Sequence, residues 1–324
     1  MIRWGIIGLG NIAMRFINSL ANSSQGHLYA VASLTPSKRE SFHQQYPGIH
    51  MYESYEKLLD DESIDAVYIA TRHADHYQWA KAALEKHKAV LCEKPATLSY
   101  QQTAHLCQLA KQNQTFFLEA MKTRFVPLVA EIKKVIESGE IGDVLRVETS
   151  FCYDVDYREG HYLFDLQQGG ILYDVGTYNL ATILDYIHSP LQSIETKWEK
   201  KFGVDAYDWV ELTFESGQTA CIDISLNEDK PKIGTIYGTK GRIIIEPFYR
   251  PTKAKILLDD GTRMKISKDY IHDDFFTEIE EVHDCVLADK IESQHMSLED
   301  SLKVREFTDQ IRNKMIEDKK NHEK

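Results

Sequence analysis

One lysine follows a short apolar segment and precedes a proline, in the motif Glu93-Lys94-Pro95. The apolar residues 90–92 predict a short buried strand, so Lys94 stands just past its carboxyl end. Open parallel sheets bind ligands at this edge, and Pro95 keeps the backbone of Lys94 out of the helical region. An isolated Glu-Lys pair at a strand end is more often solvated, so the neighbouring chain must decide between the two interpretations.

A carboxylate and a phenol stand four residues apart in the second half of the chain. Asp174 and Tyr178 belong to the segment 170–187, whose pattern predicts a helix, and residues four apart on a helix share a face. Such a pair can orient a ligand and exchange a proton with it. Gly169-Gly170 at the start permits close approach of another element or of a ligand. An ordinary amphipathic helix with a capped start is the alternative.

A glycine-rich loop follows the first apolar segment. Residues Ile2–Ile7 predict a strand, and Gly8-Leu9-Gly10-Asn11-Ile12-Ala13 opens a helical pattern directly after it. In the dinucleotide-binding fingerprint the first glycine makes a tight turn, the second lets the backbone approach a pyrophosphate, and the third position requires close packing. Ala13 takes that third position. We predict a dinucleotide site contacted by Gly8, Gly10, Asn11 and Ile12.

The end of the second predicted strand, 28–33, indicates which dinucleotide binds. NAD-binding proteins carry an acidic residue here, which accepts from the ribose hydroxyls and repels a 2′-phosphate. This chain has Ser33-Leu34-Thr35 instead, with Lys38 and Arg39 beginning the next helix. Hydroxyls and cations suit a phosphate, whereas Leu34 offers it nothing. We predict NADP in preference to NAD, with Ser33, Leu34 and Lys38 at the ribose.

Two further predicted strands end in polar residues that we assign to the same cofactor. Thr71 ends the strand 65–71, and His73 and His76 follow it. The spacing of the histidines could hold a metal, but no carboxylate or thiol cluster accompanies them, so we predict no metal site. The complete set assigned to the cofactor from these two strand ends is Thr71, His73, His76, Glu93 and Lys94.

The order of predicted elements changes in the middle of the chain. Up to residue 118 strands and helices alternate, which is typical of a doubly wound parallel α/β sheet. From residue 144 one strand pattern mostly follows another, with turn signals at 238–241 and 259–261. That order favours an α+β domain with an open, mainly antiparallel sheet. We predict a dinucleotide-binding domain over residues 1–121 and a second domain over 122–324.

The composition is that of an ordinary globular protein. The 324 residues suffice for two domains. The 38 basic and 50 acidic residues give a net charge of −12, which argues against nucleic acid or an anionic membrane as main partner. Five scattered cysteines without a Cys-x-x-Cys pair favour a reducing compartment. Without a signal peptide or an apolar run near the ~18 residues of a membrane span, we expect a cytoplasmic protein.

The whole chain resembles the glucose–fructose oxidoreductase / inositol dehydrogenase (Gfo/Idh/MocA) family. Because it has a tyrosine at position 178, it resembles the dimeric dihydrodiol dehydrogenase branch of that family. The resemblance rests on the glycine loop, residues 66–71 with His73, Cys92-Glu93-Lys94-Pro95, Glu119-Ala120-Met121, Thr123-Arg124-Phe125 and the Gly-Gly…Asp174…Tyr178 segment. It implies a Rossmann domain and a second domain that binds substrate and whose open sheet often forms a dimer interface. It also implies a nicotinamide cofactor and, at the domain junction, a sugar, polyol or related diol.

The resemblance implies that Lys94, Tyr178 and Asp174 are catalytic in hydride transfer between the nicotinamide and a carbinol or carbonyl carbon. A phenol with an ordinary pKa of about 10 is a poor base at neutral pH, so an ammonium from Lys94 would help Tyr178 to exchange the proton. Lys94 could also carry the proton itself, and Asp174 would orient the substrate or Lys94. Two alternatives stay open: a linear tetrapyrrole reductase, which would not need the Asp174–Tyr178 pair, and a redox-inactive nucleotide-binding regulator, which could lose Lys94.

Three positions depart from the family pattern. Arg72 stands where a proline is common and Lys122 where this branch often has tryptophan, and both leave the substrate open. Leu34 stands where NADP-using members often have arginine, which leaves the cofactor open.

The alternating strands of the second domain predict one sheet face that another subunit covers. Large exposed apolar faces are unusual in monomers. We therefore expect a homo-oligomer, most simply a dimer, with Trp209, Ile222 and Ile224 among the residues of such faces.

Overall fold

The computed structural model describes residues 1–322, so the last two residues of the predicted second domain lie outside the described part. The chain forms two compact units. One contains Met1–Lys122 and Ile271–Leu302, and the other contains Thr123–Tyr270 and the chain from Lys303 onward. No helix in the described part is both long and apolar enough to span a membrane.

The first unit contains a six-stranded parallel sheet with helices between its strands. Its elements up to residue 120 are β1 (Ile2–Ile7), α1 (Asn11–Leu20), β2 (Gly26–Ala32), α2 (Pro36–Gln45), β3 (His50–Tyr52), α3 (Tyr55–Leu59), β4 (Ala66–Ile69), α4 (His73–Glu85), β5 (Ala89–Glu93), α5 (Tyr100–Asn113) and β6 (Phe117–Ala120). The strand order is β3-β2-β1-β4-β5-β6, and all neighbours are parallel. The direction of winding reverses between β1 and β4, which confirms the predicted doubly wound Rossmann sheet.

Burial explains why these strands are continuously apolar. β4 is buried along its whole length, as expected for a parallel strand with helices on both sides. Phe16 of α1 stacks on Tyr68 of β4 with ring centroids 4.0 Å apart and meets Trp4 of β1 edge-on at 5.1 Å. All three side chains are fully buried, so they fix α1 against the centre of the sheet.

The second unit contains an eight-stranded sheet. Its elements up to residue 267 are α6 (Pro127–Glu137), β7 (Val144–Cys152), a π-helical segment (Leu172–Gly176), α7 (Thr177–Leu184), β8 (Leu191–Lys201), β9 (Val204–Phe214), β10 (Thr219–Ser225), β11 (Gly234–Gly238), β12 (Gly241–Ile245), β13 (Lys253–Leu258) and β14 (Arg263–Ser267). The strand order is β14-β13-β12-β11-β7-β10-β9-β8. β7 and β10 pair in parallel, and the other neighbours are antiparallel. The predicted α+β domain with an open, mainly antiparallel sheet is confirmed.

Two strands that the sequence analysis missed form the edges of this sheet. β8 has the sequence LQSIETKWEKK and β14 the sequence RMKIS, so both are rich in charge. Charged edge strands discourage pairing with other chains, but they obscure the apolar alternation that predicts a strand. The short strand β3, His50–Tyr52, was also not predicted.

One face of the eight-stranded sheet is covered within the unit, and the other face is more polar. Ile222 and Ile224 of β10 are fully buried, and Ile224 packs near Gly176 of the π-helical segment. The prediction that these two residues form an intersubunit surface is therefore wrong. Asp223 between them points to the other face, where it lies opposite Trp209 of β9. Both of these residues are only partly buried.

The last two helices are divided between the units. α8 (Phe276–Leu287) belongs to the first unit, and α9 (Leu298–His322) begins in the first and continues in the second. Nε1 of Trp4 donates to Nε2 of the buried His283 at 2.8 Å, across 279 positions of the chain. Residues 271–302 thus pack with the dinucleotide-binding sheet, which corrects the predicted continuous second domain 122–324. A contact between residues so distant in the chain leaves no local sequence signal.

Candidate active site

The carboxyl ends of the parallel strands bring the predicted cofactor residues to one edge of the first unit. Gly8 and Gly10 follow β1, Ser33 follows β2, Thr71 follows β4, and Lys94 follows β5. The parallel pairing of these strands places their following loops at the same edge. Ligands bind at such an edge where the strand order reverses, here between β1 and β4.

The glycine loop has the backbone that a pyrophosphate requires. Gly8 has a φ of +96°, and a Cβ there would lie 2.7 Å from the carbonyl oxygen of Ala70, so only glycine fits. A Cβ on Gly10 would meet no described atom within 4 Å, so the space beside the loop is open. α1 has no side-chain cap among the described residues. Its first amides, on Asn11 and Ile12, therefore suit an anion, and the loop fits a dinucleotide.

Arg39 has a defined place beside the end of β2. Its Nη1 donates to the carbonyl oxygen of Ser33 at 2.7 Å, and the Ser33 hydroxyl accepts from the amide of Thr35 at 3.3 Å. The predicted residues Leu34 and Lys38 are both exposed. The loop thus offers hydroxyls and cations where NAD-binding proteins carry a carboxylate. Arg39 is the cation that the predicted set of cofactor residues omitted.

His76 supports the loops from inside the protein. It is 1% exposed, with Nδ1 lying 2.8 Å from the carbonyl oxygen of Pro95 and Nε2 lying 3.3 Å from that of Thr71. Burial lowers the pKa of His76, so the neutral ring donates one hydrogen bond, and the shorter distance assigns it to Nδ1. The structure replaces the predicted cofactor contact of His76 by a role in joining two loops.

The neighbouring His73 is also buried, with its ring centroid 5.8 Å from that of His76. Within residues 1–322, no three His, Cys, Asp or Glu side chains are grouped in a way that could hold a metal ion.

The turn that carries Lys94 is held by three side chains of the sheet. The Tyr68 hydroxyl donates to Oε1 of Glu93 at 2.5 Å, and Oε2 of Glu93 accepts from the Lys94 amide at 3.2 Å. Oε1 of Glu119 accepts from the amide of Ala96 at 2.9 Å. Glu93, predicted to contact the cofactor, therefore also fixes the backbone of Lys94. Lys94 itself is partly exposed.

Lys122, one of the departures from the family pattern, has a buried partner. Its Nζ lies 2.8 Å from Oδ2 of Asp274, and Arg15 contacts the other carboxylate oxygen at 2.5 Å. Both cations also lie 4.8 Å from the ring of Phe275. Lys122 thus helps to pack residues 271–302 against residues 1–122 within the first unit.

In the second unit, Asp174 lies in the π-helical segment Leu172–Gly176 rather than in the regular α-helix that the pattern predicted. The Tyr153 hydroxyl donates to one of its oxygens at 2.5 Å, and the Tyr162 hydroxyl donates to the other at 3.2 Å. Burial and then the charge of Asp174 raise the pKa of Tyr153, so this phenol remains a proton donor. π-Helical turns are rare and frequently mark functional sites. Two phenols therefore hold Asp174 as an acceptor.

Tyr178 continues the same helical run in α7 and is 7% exposed. Its ring centroid lies 6.4 Å from that of Phe151 and 6.1 Å from that of Tyr249. Aromatic neighbours at these distances restrict the orientation of the ring. Asp174 and Tyr178 thus share one helical run, as predicted.

The candidate residues form one set in each unit: the cofactor edge with Lys94 in the first, and Asp174 with Tyr178 in the second. Sequence reasoning missed Tyr153 and Tyr162, which precede Asp174 by 21 and 12 positions. Tyr153 directly follows β7, and Tyr162 opens a short 3₁₀ turn, so helical spacing could not connect them to Asp174. The available signal was the high density of tyrosines in this region.

Known families and relatives match most of the chain. Residues 2–120 match the GFO/IDH/MocA oxidoreductase family with an NAD-binding Rossmann fold, and residues 129–244 match the GFO/IDH/MocA C-terminal domain. The scyllo-inositol 2-dehydrogenase (NADP(+)) of Bacillus subtilis is 29% identical, with 97% of each chain covered. The D-xylose 1-dehydrogenase (NADP(+)) of Hypocrea jecorina is 30% identical, with 94% of this chain and 90% of that enzyme covered. The trans-1,2-dihydrobenzene-1,2-diol dehydrogenase of Mus musculus is 29% identical, with 83% and 82% covered.

Solved structures share the fold. An aldose-aldose oxidoreductase from Caulobacter crescentus, complexed with glycerol, has a TM-score of 0.89 at 22% identity over 98% of both chains. A 3-ketoreductase from Actinomadura kijaniata, in complex with NADP, has a TM-score of 0.87 at 24% identity over 96% of this chain and 97% of its own. These structural matches support the fold, and the matches of both domains and of full-length relatives establish the kinship. The chain belongs to the Gfo/Idh/MocA family of NAD(P)-dependent oxidoreductases.

Proposed function

We propose that this enzyme transfers a hydride between a nicotinamide ring and a carbinol or carbonyl carbon of a sugar, polyol or related vicinal diol. One observation carries the proposal: the edge with the open glycine loop also presents Lys94. A protein that only binds a dinucleotide needs the loop, but it has no use for a lysine on a turn that Tyr68 and Glu93 hold in place. That construction favours chemistry at the nicotinamide end.

The names of the relatives support a substrate with adjacent hydroxyl groups. They are named for scyllo-inositol, D-xylose and a dihydrobenzene diol, which share neighbouring carbinols. Asp174 suits such a substrate, because a carboxylate accepts hydrogen bonds from hydroxyl groups, as it does from Tyr153 and Tyr162.

The proposed roles follow from the chemistry of a carbinol. A nicotinamide cofactor held at the glycine loop of Gly8 and Gly10 would supply the hydride acceptor for oxidation of the carbinol. Tyr178 takes the proton of the reacting hydroxyl, and in the reductive direction it returns that proton to the oxygen. The cationic Lys94 stabilises the negative charge that develops in this exchange. Asp174 accepts from a neighbouring hydroxyl and so orients the substrate.

NADP is the proposed preferred cofactor. The loop after β2 carries the hydroxyls of Ser33 and Thr35, and Arg39 in the first turn of α2 contacts the Ser33 carbonyl through its guanidinium. A 2′-phosphate accepts hydrogen bonds from such groups, and no acidic side chain follows Ser33 within the first turn of α2 to repel it. Two of the relatives described above are named for NADP.

We further propose a homodimer in the cytoplasm. The partly buried face of the eight-stranded sheet carries Tyr207, Trp209, Tyr237 and Arg146, and Tyr, Trp and Arg are the residue types enriched in protein interfaces. The five cysteines are free thiols, which is consistent with a reducing compartment. Light scattering at micromolar concentration that gave the mass of one chain, 37.4 kDa, would contradict the dimer.

The experiment that tests the function is a turnover screen. The purified protein is incubated with NADP or NAD and with inositols, aldoses and trans-diols, and the absorbance of the reduced nicotinamide is followed. The Lys94→Met variant serves as the control, because it should retain cofactor binding and lose turnover. Reduction of the cofactor by at least one vicinal diol in wild type is expected. Equal rates in wild type and variant, or no turnover of any hydroxylated substrate, would refute the proposal.

A further inference from the structure

The π-helical segment that carries Asp174 begins on a carboxylate supplied by the sheet. Oδ2 of Asp205, near the start of β9, accepts from the amide of Leu172 at 2.9 Å. Leu172 is the first residue of the segment, and the first amides of a helix lack partners within the helix itself. Asp205 therefore supplies a hydrogen bond that determines where the π-helical turn begins.

Glycine at the entry allows this approach. Gly170 has a φ of +101°, and a Cβ on it would collide with the carboxylate of Asp205. Any other residue at this position would both strain the backbone and displace the carboxylate. The close approach that Gly169-Gly170 suggested from sequence is thus made by a side chain of the same unit.

Charged groups of two elements surround Asp205. Nη1 of Arg312, on α9, lies 3.7 Å from Oδ1 of Asp205, and its guanidinium lies 4.2 Å from the ring of Tyr173. On β9 itself, the fully buried Asp208 adjoins Asp205, and neither of its oxygens has a hydrogen-bond partner among the described residues. Adjacent carboxylates cannot both ionise in such surroundings. Burial and the neighbouring Asp205 raise the pKa of Asp208, so Asp208 is the member of this pair that holds the proton.

We propose that Asp205 is a positioning residue for catalysis, which sets the register of the helical run that carries Asp174 and Tyr178. The inference rests on the proposed function, because it assigns a role toward those two catalytic candidates. A π-helical turn holds its hydrogen bonds one residue further apart than an α-helical turn. If the segment relaxed to α-helix, the direction of the Asp174 side chain relative to Tyr178 would change, because the rotation per residue differs between the two kinds of turn.

Asp205 also lines a cavity of ≈ 220 Å³ that Trp198, Lys200 and Arg312 border. The cavity gives a small anion a route to the position that an alanine would vacate. A carboxylate from solution could then replace the missing side chain opposite the Leu172 amide and Arg312. This possibility makes chemical rescue a test that a purely structural role would not satisfy.

The experiment compares Asp205→Ala with wild type in the turnover assay, with and without sodium formate. We expect kcat to fall about 10- to 100-fold with KM within about threefold, because a displacement of catalytic groups near 1 Å costs up to about 10² in rate. Formate should restore kcat at least about fivefold in a saturable manner, whereas sodium chloride at equal ionic strength should not. Asp223→Ala, on the adjacent β10 and paired with Lys230 at 3.1 Å, is the matched control. The kcat of this variant should equal that of wild type, and formate should not change it.

Hydrogen–deuterium exchange gives a readout that does not require turnover. Asp205→Ala should accelerate exchange over residues 172–178, and formate should slow it again. If exchange there is unchanged, the positioning role is refuted whether or not a substrate is known. An inactive wild type with altered exchange in the variant would refute the proposed function alone. If Asp205→Ala does not fold, Asp205→Asn, which keeps the volume and loses the charge, should lower kcat and accelerate this exchange. Wild-type values of both would overturn the inference.

Discussion

Replacing Asp274 by asparagine should destabilise the first unit by an amount that its contacts allow to be estimated. The carboxylate contacts the Lys122 ammonium at 2.8 Å, and these two side chains are only 8% and 6% exposed. Arg15 also contacts it at 2.5 Å but is 45% exposed. Burial raises the pKa of Asp274, but the two cations outweigh that effect and hold the pKa below its usual value. The negative charge of Asp274 therefore offsets the free-energy cost of burying the Lys122 ammonium.

The buried partner dominates the magnitude. Two charges 2.8 Å apart attract by about 6 kcal/mol at an effective dielectric constant of about 20, and desolvation offsets part of this. Removing one member of a buried pair costs about 3–5 kcal/mol, because the other charge stays buried without compensation. The exposed Arg15 adds no more than about 1 kcal/mol. We expect Asp274→Asn to lower the free energy of unfolding by about 3–5 kcal/mol, or the Tm by roughly 6–20 °C for a unit of about 150 residues.

The assay is thermal unfolding at neutral pH, with two comparison variants. Lys122→Met combined with Asp274→Asn removes both buried charges and should recover much of the loss, since well-packed apolar replacements of buried ion pairs are tolerated. Asp60→Asn removes an exposed pair with Lys86 and should change stability by less than about 1 kcal/mol. Because the folded pKa of Asp274 is lowered, its contribution is present above the unfolded value of about 3.9 and disappears as pH falls through the folded pKa. A double variant less stable than Asp274→Asn would refute the argument.

Five further variants test other parts of the protein. Lys94→Met should reduce kcat by about 10²–10⁴-fold with the Kd for cofactor nearly unchanged, and a loss within threefold in a steady-state assay would remove Lys94 from the mechanism. Tyr178→Phe should abolish the basic limb of the pH–rate profile. Tyr153→Phe should leave that limb in place, because burial and the charge of Asp174 raise the pKa of Tyr153 and keep it protonated. An unchanged profile in Tyr178→Phe would assign the proton transfer to Lys94. Ser33→Asp should shift the ratio of the kcat/KM values for NADP and NAD toward NAD, because the carboxylate repels a 2′-phosphate. An unchanged ratio would show that the ribose does not bind beside Ser33. Glu278 is fully buried, and burial and the charge of Glu93 raise its pKa. The free energy of unfolding, measured by denaturant titration, should therefore fall as pH rises above the ordinary glutamate value of about 4.3, by at most about 1.4 kcal/mol per pH unit. Glu278→Gln should flatten this slope, and an equally steep slope in the variant would show that Glu278 is ionised in the folded protein.

The sequence alone determined the features that depend on local periodicity and on the spacing of residues. The glycine loop after β1 and the strand that precedes Lys94 were predictable, because a buried parallel strand is a continuous apolar run and the residue after it lies at the ligand-binding edge. The alternation of strands and helices likewise predicted the doubly wound sheet. The change to successive strands after residue 144 predicted the second sheet. Its edge strands β8 and β14 were not predicted, because their charged residues hide the apolar alternation.

The features that only the tertiary structure decided are contacts between residues far apart in the chain. Tyr153, which follows β7, and Tyr162, in a short turn, donate to Asp174 from segments that helical spacing cannot connect to it. Asp205 lies 33 positions from the amide that it accepts from, and His283 lies 279 positions from Trp4. Local propensity describes each segment by itself, whereas these hydrogen bonds depend on how the sheets bring segments together. For the same reason, residue type alone could not show that Ile222 and Ile224 are buried within the unit. It also could not show that both ring nitrogens of His76 lie beside backbone carbonyl oxygens.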